Sequence, residues 1–209
     1  MGLFQNKVVV VTGAGQGIGR NHVLRFVAEG AKVVVNDIGV GIESGADGSG
    51  RTRPSASRDL SLAARLVDEI RRSDGIAIAD TSDVSTFSGG QSLVENPLDH
   101  HGRVDVLVNN AGTLTIMRIP ELDEDLVRRE LSVHVVGYMG TTKGVWGPMQ
   151  AQGGGVIVNT ASGFGGGGPG PAAYMAAKAG VFALTRDTAL EGADVGICCN
   201  ALTPRSAPA

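Results

Sequence analysis

Four consecutive valines at residues 8–11 run directly into Thr12-Gly13-Ala14-Gly15-Gln16-Gly17-Ile18-Gly19. An unbroken β-branched run bounded by Lys7 and Gly13 has no polar face to turn towards water. It therefore predicts a strand covered on both sides, as in a parallel sheet. Residues 18–29 predict a helix, closed by Gly30. A buried strand that passes through glycines into a helix brings free N–H groups and a positive dipole end to one spot. Small residues there let a phosphate approach the main chain. The spacing is T-G-x-x-x-G-I-G rather than G-x-G-x-x-G, because position 18 is isoleucine. Gly13, Gln16, Gly17, Ile18 and Gly19 are the residues expected to meet a dinucleotide pyrophosphate.

The same alternation continues along the chain. Further strands are predicted over residues 32–36, 76–79, 104–109, 156–160 and 196–202, and helices over 58–72, 121–146 and 174–190. A helix over 85–99 is weakened by Gly89, Gly90 and Pro97. Residues 39–57, GVGIESGADGSGRTRPSAS, read as a mobile loop, and so do residues 163–171, rich in glycine. Glycine makes up 32 of 209 residues, about twice its usual share, and clusters in such loops. Strands alternating with helices imply right-handed crossovers. The expectation is an α/β, Rossmann-like, doubly wound parallel sheet with helices on both faces, in a single domain over residues 1–209.

Composition excludes several classes. A net charge of −3 argues against a nucleic-acid surface, which needs a basic face. No apolar run approaches the length of a membrane span. Cys198 and Cys199 are neighbours in a predicted strand, so they point to opposite faces and are poor disulfide partners. That suits a reducing compartment, and a cytoplasmic protein is expected. No metal site is expected. The long helices over 121–146 and 174–190 would pair across a two-fold axis, giving a homo-oligomer, dimer or tetramer.

Asp37 stands 20 residues after Gly17, at the end of the second strand. A carboxylate there can bind the adenosine ribose hydroxyls and would repel a 2′-phosphate, so NAD is favoured over NADP. Tyr174 and Lys178 are four apart and share one helix face. A phenol alone, with a pKa of about 10, is a poor base at neutral pH. A neighbouring ammonium favours the phenolate and brings it into range for proton transfer. Ser162, just past the fifth strand, offers a hydroxyl that can polarise a carbonyl.

With TGAGQGIG at 12–19, NNAG at 109–112 and YMAAK at 174–178, the sequence resembles the short-chain dehydrogenase/reductase family, over about residues 5–204. VVVND at 33–37, the Gly/Ser loop and Val133-His134 look like the subgroup that includes the dehydrogenase domain of peroxisomal multifunctional β-oxidation enzymes. The resemblance implies Tyr174 as acid/base and Lys178 as its partner, which also holds the nicotinamide ribose. It implies Ser162 as the residue orienting the substrate oxygen. His134 stands where the family commonly has an Asn in a proton relay. Asp83 and Val84 are implied at the adenine, Asn110, Ala111 and Gly112 beside the adenosine ribose, and Thr203 and Pro204 at the nicotinamide. Ser162 precedes Tyr174 by 12 residues, one fewer than usual in the family. Family members continue past Pro204 with a substrate lid, a helix and a further strand, and only residues 205–209 follow here, so the lid and last strand are expected to be missing. The implied activity is NAD(H)-dependent hydride transfer to or from a secondary alcohol or ketone, such as a 3-hydroxyacyl thioester or hydroxysteroid. The alternatives are a non-catalytic dinucleotide-binding sensor or assembly subunit, and a dehydratase or epimerase.

Overall fold

Valine-rich segments become the middle of a six-stranded parallel sheet. The computed structural model describes residues 2–44, 52–163 and 171–204. In chain order the sheet strands are β1 (Val8–Thr12), β2 (Lys32–Asn36), β5 (Ile76–Asp80), β6 (Val106–Asn109), β7 (Gly155–Thr160) and β8 (Ile197–Leu202). Across the sheet they run β5-β2-β1-β6-β7-β8. All five pairings are parallel, with Val9 opposite both Val33 and Val106. The chain builds outward from β1 in one direction and then restarts at β6 on its other side. Between those two strands the sheet has its switch point, where a crevice must open at the carboxyl ends.

The valines of β1 explain the two layers. Val9 and Val11 pack with Val23 of α1 (Gly17–Ala28) and Leu66 and Ile70 of α2 (Ser61–Arg72). Val10, one residue over, faces the other way, with Leu93 of α3 (Phe87–His101) and Val145 and Met149 of α5 (Gly137–Ala151). Every residue of β1 is buried, as a strand sandwiched between helices must be. A long helix runs over α4 (Glu124–Leu131), a wider π turn at Ser132–Val136 and α5. The helix α6 (Ala172–Gly192) packs on β8 and β7.

One expectation needs correction. Residues 39–57 were expected to form a loop, but Val40–Ser44 (β3) and Thr52–Arg58 (β4) pair as an antiparallel hairpin beside the main sheet. Glycine, serine and arginine carry no hydrophobic alternation, so pattern reading had nothing to detect there. The tip, 45–51, lies outside the described residues, as do 164–170 of the second expected loop.

The doubtful helix is real and runs Phe87–His101. The Thr86 side chain accepts from the Gly89 N–H and caps its start, and Gly102 at φ 69° ends it. Gly90 lets α3 and α5 touch backbone to backbone. A Cβ there would stand 2.7 Å from Thr141 N and 2.8 Å from Gly140 C. Gly90→Ala should therefore cost about 1–3 kcal/mol by overpacking. Gly147→Ala, on α5 where a Cβ meets nothing within 4 Å, should be neutral or gain up to about 1 kcal/mol. Urea melts of both variants check this, and equal destabilisation would mean the α3–α5 contact is not tight.

Candidate active site

A cavity of about 920 Å³ opens at the switch point, lined by the glycine turn, the ends of β2 and β6, and the segment after β5. It has the size of a drug- to cofactor-scale pocket. Gly13, Gln16, Gly17, Ile18, Asp37, Asp83, Val84, Asn110, Ala111 and Gly112 all line it, as the sequence implied. Gly17, at φ 58°, has open space where a Cβ would sit, so the main chain is bare to a ligand. Gln16 makes no side-chain cap bond and the first turn of α1 holds no acidic residue. Its free N–H groups suit an anion, and these features together fit a dinucleotide pyrophosphate.

The floor of the crevice is braced. Asn110 Nδ2 donates to Thr12 O and Gly13 O at 2.9 and 3.0 Å. The Thr12 hydroxyl accepts from Asn110 N and Ala111 N at 3.0 and 2.9 Å. Asn110 thus staples the end of β6 to the glycine turn. Gly19 does not line the cavity. Its Cβ would fall 2.3 Å from Gly13 O, so its role is close packing of α1 on the turn. Asp37 is buried and accepts from Gly15 N at 2.8 Å and Gly39 N at 2.7 Å. It holds the turn and the hairpin entrance together as well as facing the cavity. Arg58, from the hairpin, lines the same cavity 3.7 Å from Asp83. No motif or spacing around Arg58 singles it out.

Tyr174, Lys178, Ser162, His134, Thr203 and Pro204 are not in that wall. Tyr174, Lys178 and His134 meet one another beside it. Lys178 is 2% exposed and its Nζ donates to Thr160 O at the end of β7. The same Nζ lies 5.6 Å from the Tyr174 ring centroid. The His134 ring stands edge-on to Tyr174, 5.4 Å between centroids. It fits because residue 112 is glycine, where a Cβ would come within 2.6 Å of His134 Cε1. The π turn that carries His134 is a form often found at functional sites. Ser162, partly exposed, follows β7 on the loop next to Thr160. A buried network, Thr141 to Asn109 to Asn159 to Thr185, fixes the strand ends that hold these groups. Thr203 and Pro204 follow β8, away from the cavity wall.

The chain has two tyrosines, and burial distinguishes them. Tyr138 is 1% exposed and donates to Ala111 O at 3.1 Å, and burial pushes its hydroxyl well above the ordinary range. Its proton is locked. Tyr174 is partly exposed and so is the phenol that a substrate can reach. Burial pushes the Lys178 ammonium down to about 8, against the pull of Glu130. It still carries its charge at neutral pH. Burial also lowers His134 from the ordinary value, so the ring is neutral there. Glu130, which no motif pointed to, is wholly buried 3.3 Å from His134. Its placement one helical turn before a histidine was the available signal.

Residues 7–207 match the model of the short chain dehydrogenase family. The chain belongs to that family. It is 39% identical to the peroxisomal hydratase-dehydrogenase-epimerase of Saccharomyces cerevisiae, covering 96% of this chain and 21% of the relative. It is 39% identical to the peroxisomal multifunctional enzyme type 2 of Mus musculus, covering 97% and 26%. The chain thus spans about a fifth to a quarter of the length of these relatives. It is 32% identical to the (2S)-[(R)-hydroxy(phenyl)methyl]succinyl-CoA dehydrogenase subunit BbsD of Thauera aromatica, over 96% of this chain and 73% of that one. A solved short chain dehydrogenase from Mycobacterium avium superposes with a TM-score of 0.83 at 40% identity, covering 98% and 70%. A 7α-hydroxysteroid dehydrogenase solved with NADH and 7-oxo glycochenodeoxycholic acid superposes at 0.82 and 27%, covering 96% and 71%. Short-chain dehydrogenases are oxidoreductases that use a nicotinamide dinucleotide. Among the described residues no helix is long and apolar enough to cross a membrane, and no cluster of metal-ligating side chains occurs.

The buried lysine makes a sharp stability prediction. Between about pH 8 and pH 10.5 the unfolded chain still holds a proton that folded Lys178 has released. More protons on the unfolded state means that stability rises with pH in that window, and below it the whole burial penalty applies. Lys178→Met removes the penalty. Its stability relative to wild type should be about 2–3 kcal/mol more favourable at pH 7 than at pH 11. Denaturant melts across that range test it, and a pH-independent difference would contradict it.

Proposed function

We propose that the chain is an NAD-dependent dehydrogenase or reductase acting on a secondary alcohol or its ketone. The observation that carries this reading is a buried ammonium set behind an accessible phenol beside a dinucleotide-sized crevice. Burying an ammonium is costly compared with an apolar residue of the same length, and one placed a helical turn from an accessible phenol serves proton transfer as well as ribose binding. The bound nicotinamide would supply or accept the hydride.

The chain's own residues do the rest. In alcohol oxidation Tyr174 takes the hydroxyl proton as the carbon loses its hydride, and in carbonyl reduction it returns that proton. Ser162 donates a hydrogen bond to the substrate oxygen and holds it in place. Lys178 keeps a positive charge behind the phenol, which favours its anionic form, and is the group to hold the nicotinamide ribose. His134 passes protons between this cluster and solvent. Gly13, Gln16, Gly17 and Ile18 cradle the pyrophosphate, and Asp83 and Val84 flank the adenine. Thr203 and Pro204 approach the nicotinamide when substrate and cofactor are in place.

Asp37 supports NAD over NADP, since a second negative group on the ribose would face its carboxylate at short range. Arg58 does not offset this while it is paired with Asp83. The name of the Thauera relative describes a hydroxy group near a CoA thioester, and that of the steroid relative a ring hydroxyl. A 3-hydroxyacyl thioester or a hydroxysteroid is the substrate class to try first. The exposed Cys198, the buried Cys199 and the lack of a disulfide between them suit a reducing compartment such as the cytoplasm. Pairing of α4–α5 and α6 with a second copy would make a dimer or tetramer.

Reduced nicotinamide formed from NAD and a panel of such alcohols tests the reading. Tyr174→Phe should lower kcat by about 10²–10⁴ while the Kd for NAD stays within about twofold. No turnover in either direction with any alcohol or ketone would remove the enzymatic reading. Asp37→Ala should cut the NAD-over-NADP ratio of kcat/KM by at least about tenfold, a shift of about 1.4 kcal/mol. An unchanged ratio would take Asp37 out of cofactor choice.

A further inference from the structure

Among the described residues Glu130 is the wholly buried carboxylate beside the catalytic cluster, and the roles assigned above do not use it. It sits on α4, one turn before His134 in the π segment, with 0% of its surface exposed. Oε1 accepts from the Thr115 hydroxyl at 2.6 Å. Oε2 lies 3.3 Å from His134 Nε2, which is also 2.9 Å from Thr113 O. Nε2 therefore faces a carbonyl and a carboxylate. The Thr113 N–H stands 3.3 Å from the same nitrogen, but a ring protonated at Nε2 cannot accept there. The Thr113 carbonyl at 2.9 Å, with the carboxylate's negative charge beside it, outweighs one long donor contact, so Nε2 carries the proton. Nδ1 is then left with a lone pair. It is buried with no hydrogen-bond partner among the described residues, beside Gly112 of the cavity wall.

We propose that Glu130 is a positioning residue of the acid–base site: its carboxylate, 3.3 Å from the ring, fixes the Nε2–H form of His134, which stands edge-on to Tyr174. This rests on the dehydrogenase reading for its catalytic consequence, but not for its electrostatics. The titratable side chain against Glu130 is His134, 3.3 Å away on the same long helix, and Lys178 of α6, which packs on α4, feels its charge. Thr113 and Thr115, on the segment after β6, are uncharged. Burial raises the Glu130 carboxyl, but the Thr115 hydrogen bond and the nearby His134 ring outweigh it and hold it below its ordinary value, so it is ionised at neutral pH. Oε2 meets His134 as an electrostatic contact at 3.3 Å and makes no hydrogen bond among the described residues. Its charge attracts protons to both Lys178 and His134. The carboxylate thus orients the imidazole. Nδ1 is then the ring atom free to accept a proton arriving from the direction of the cavity.

Glu130→Gln tests this, since it keeps the shape and an acceptor for Thr115 while removing the charge. In nitrogen NMR of the chain without substrate, wild-type His134 should show the Nε2–H form. In Glu130→Gln its titration midpoint should fall by about one unit. The alkaline limb of kcat for alcohol oxidation, set by loss of the Lys178 proton, should move down by a similar amount. At neutral pH kcat should drop about tenfold with KM nearly unchanged, and Glu130→Asp should recover part of it. Unmoved His134 and kcat midpoints, with only a lower melting temperature, would overturn the proposal and leave Glu130 a packing residue. If the NMR midpoint moves but no alcohol or ketone is turned over, the electrostatic inference stands and the dehydrogenase reading falls. Should Glu130→Gln fail to fold, Thr115→Val strips the carboxylate of its 2.6 Å donor but keeps its charge. The His134 midpoint should then rise, and no movement would overturn the proposal.

Discussion

A charged lysine taken out of water is the constraint around which the site is arranged. Lys178 stays where it is because Thr160, at the end of a sheet strand, gives its ammonium a carbonyl to bond. Thr160 is in place because β7 pairs in register with β6 and β8. The sheet therefore decides where the positive charge lies, and α6 decides that Tyr174 stands one turn away from it. Neither element alone could put a charge behind an accessible phenol. Residues such as Asn109, Asn159 and Thr141 gain their importance here, because they lock strand ends to helices without taking part in chemistry.

The same division of labour holds in the dinucleotide crevice. Glycines at 13 and 17 open the backbone, while Asn110 and Thr12 prevent the opened turn from drifting. Gly19 and Gly112 also act as spacers, although Gly112 lines the cavity and Gly19 does not. One admits a neighbouring backbone and the other the ring of His134. Asp37 belongs to both groups, since its two oxygens each hold an N–H of the surrounding loop. A substitution there would disturb the loop as well as the preference between cofactors.

How much was legible depended on whether a residue's environment was local or tertiary. The valines of β1 and β2 announce a doubly covered sheet because their pattern is their burial. Helical periodicity puts Tyr174 and Lys178 on one face, but their role was legible only through the three motifs, in order, that carry the family resemblance. The β3–β4 hairpin was not, as its pairing rests on backbone bonds between polar residues with no alternation to detect. The helix over Phe87–His101 was doubted because glycine lowers helix propensity, yet Gly90 is there for an interhelical contact that no local pattern reveals. Glu130 was the hardest case. In the stretch EDLVRREL it reads as another exposed acid, and only Thr115 and His134, 15 residues before it and four after, make it a buried one.

In the proposed dehydrogenase Tyr174, backed by Lys178, faces the reacting oxygen. A crystal structure of the chain with NAD and an unreactive alcohol analogue tests it most directly. The expected result is the analogue's oxygen within hydrogen-bond range of both the Tyr174 and Ser162 hydroxyls, with Lys178 Nζ on the nicotinamide ribose. A Tyr174 hydroxyl directed away from the nicotinamide, with the dinucleotide seated in the crevice, would contradict the account.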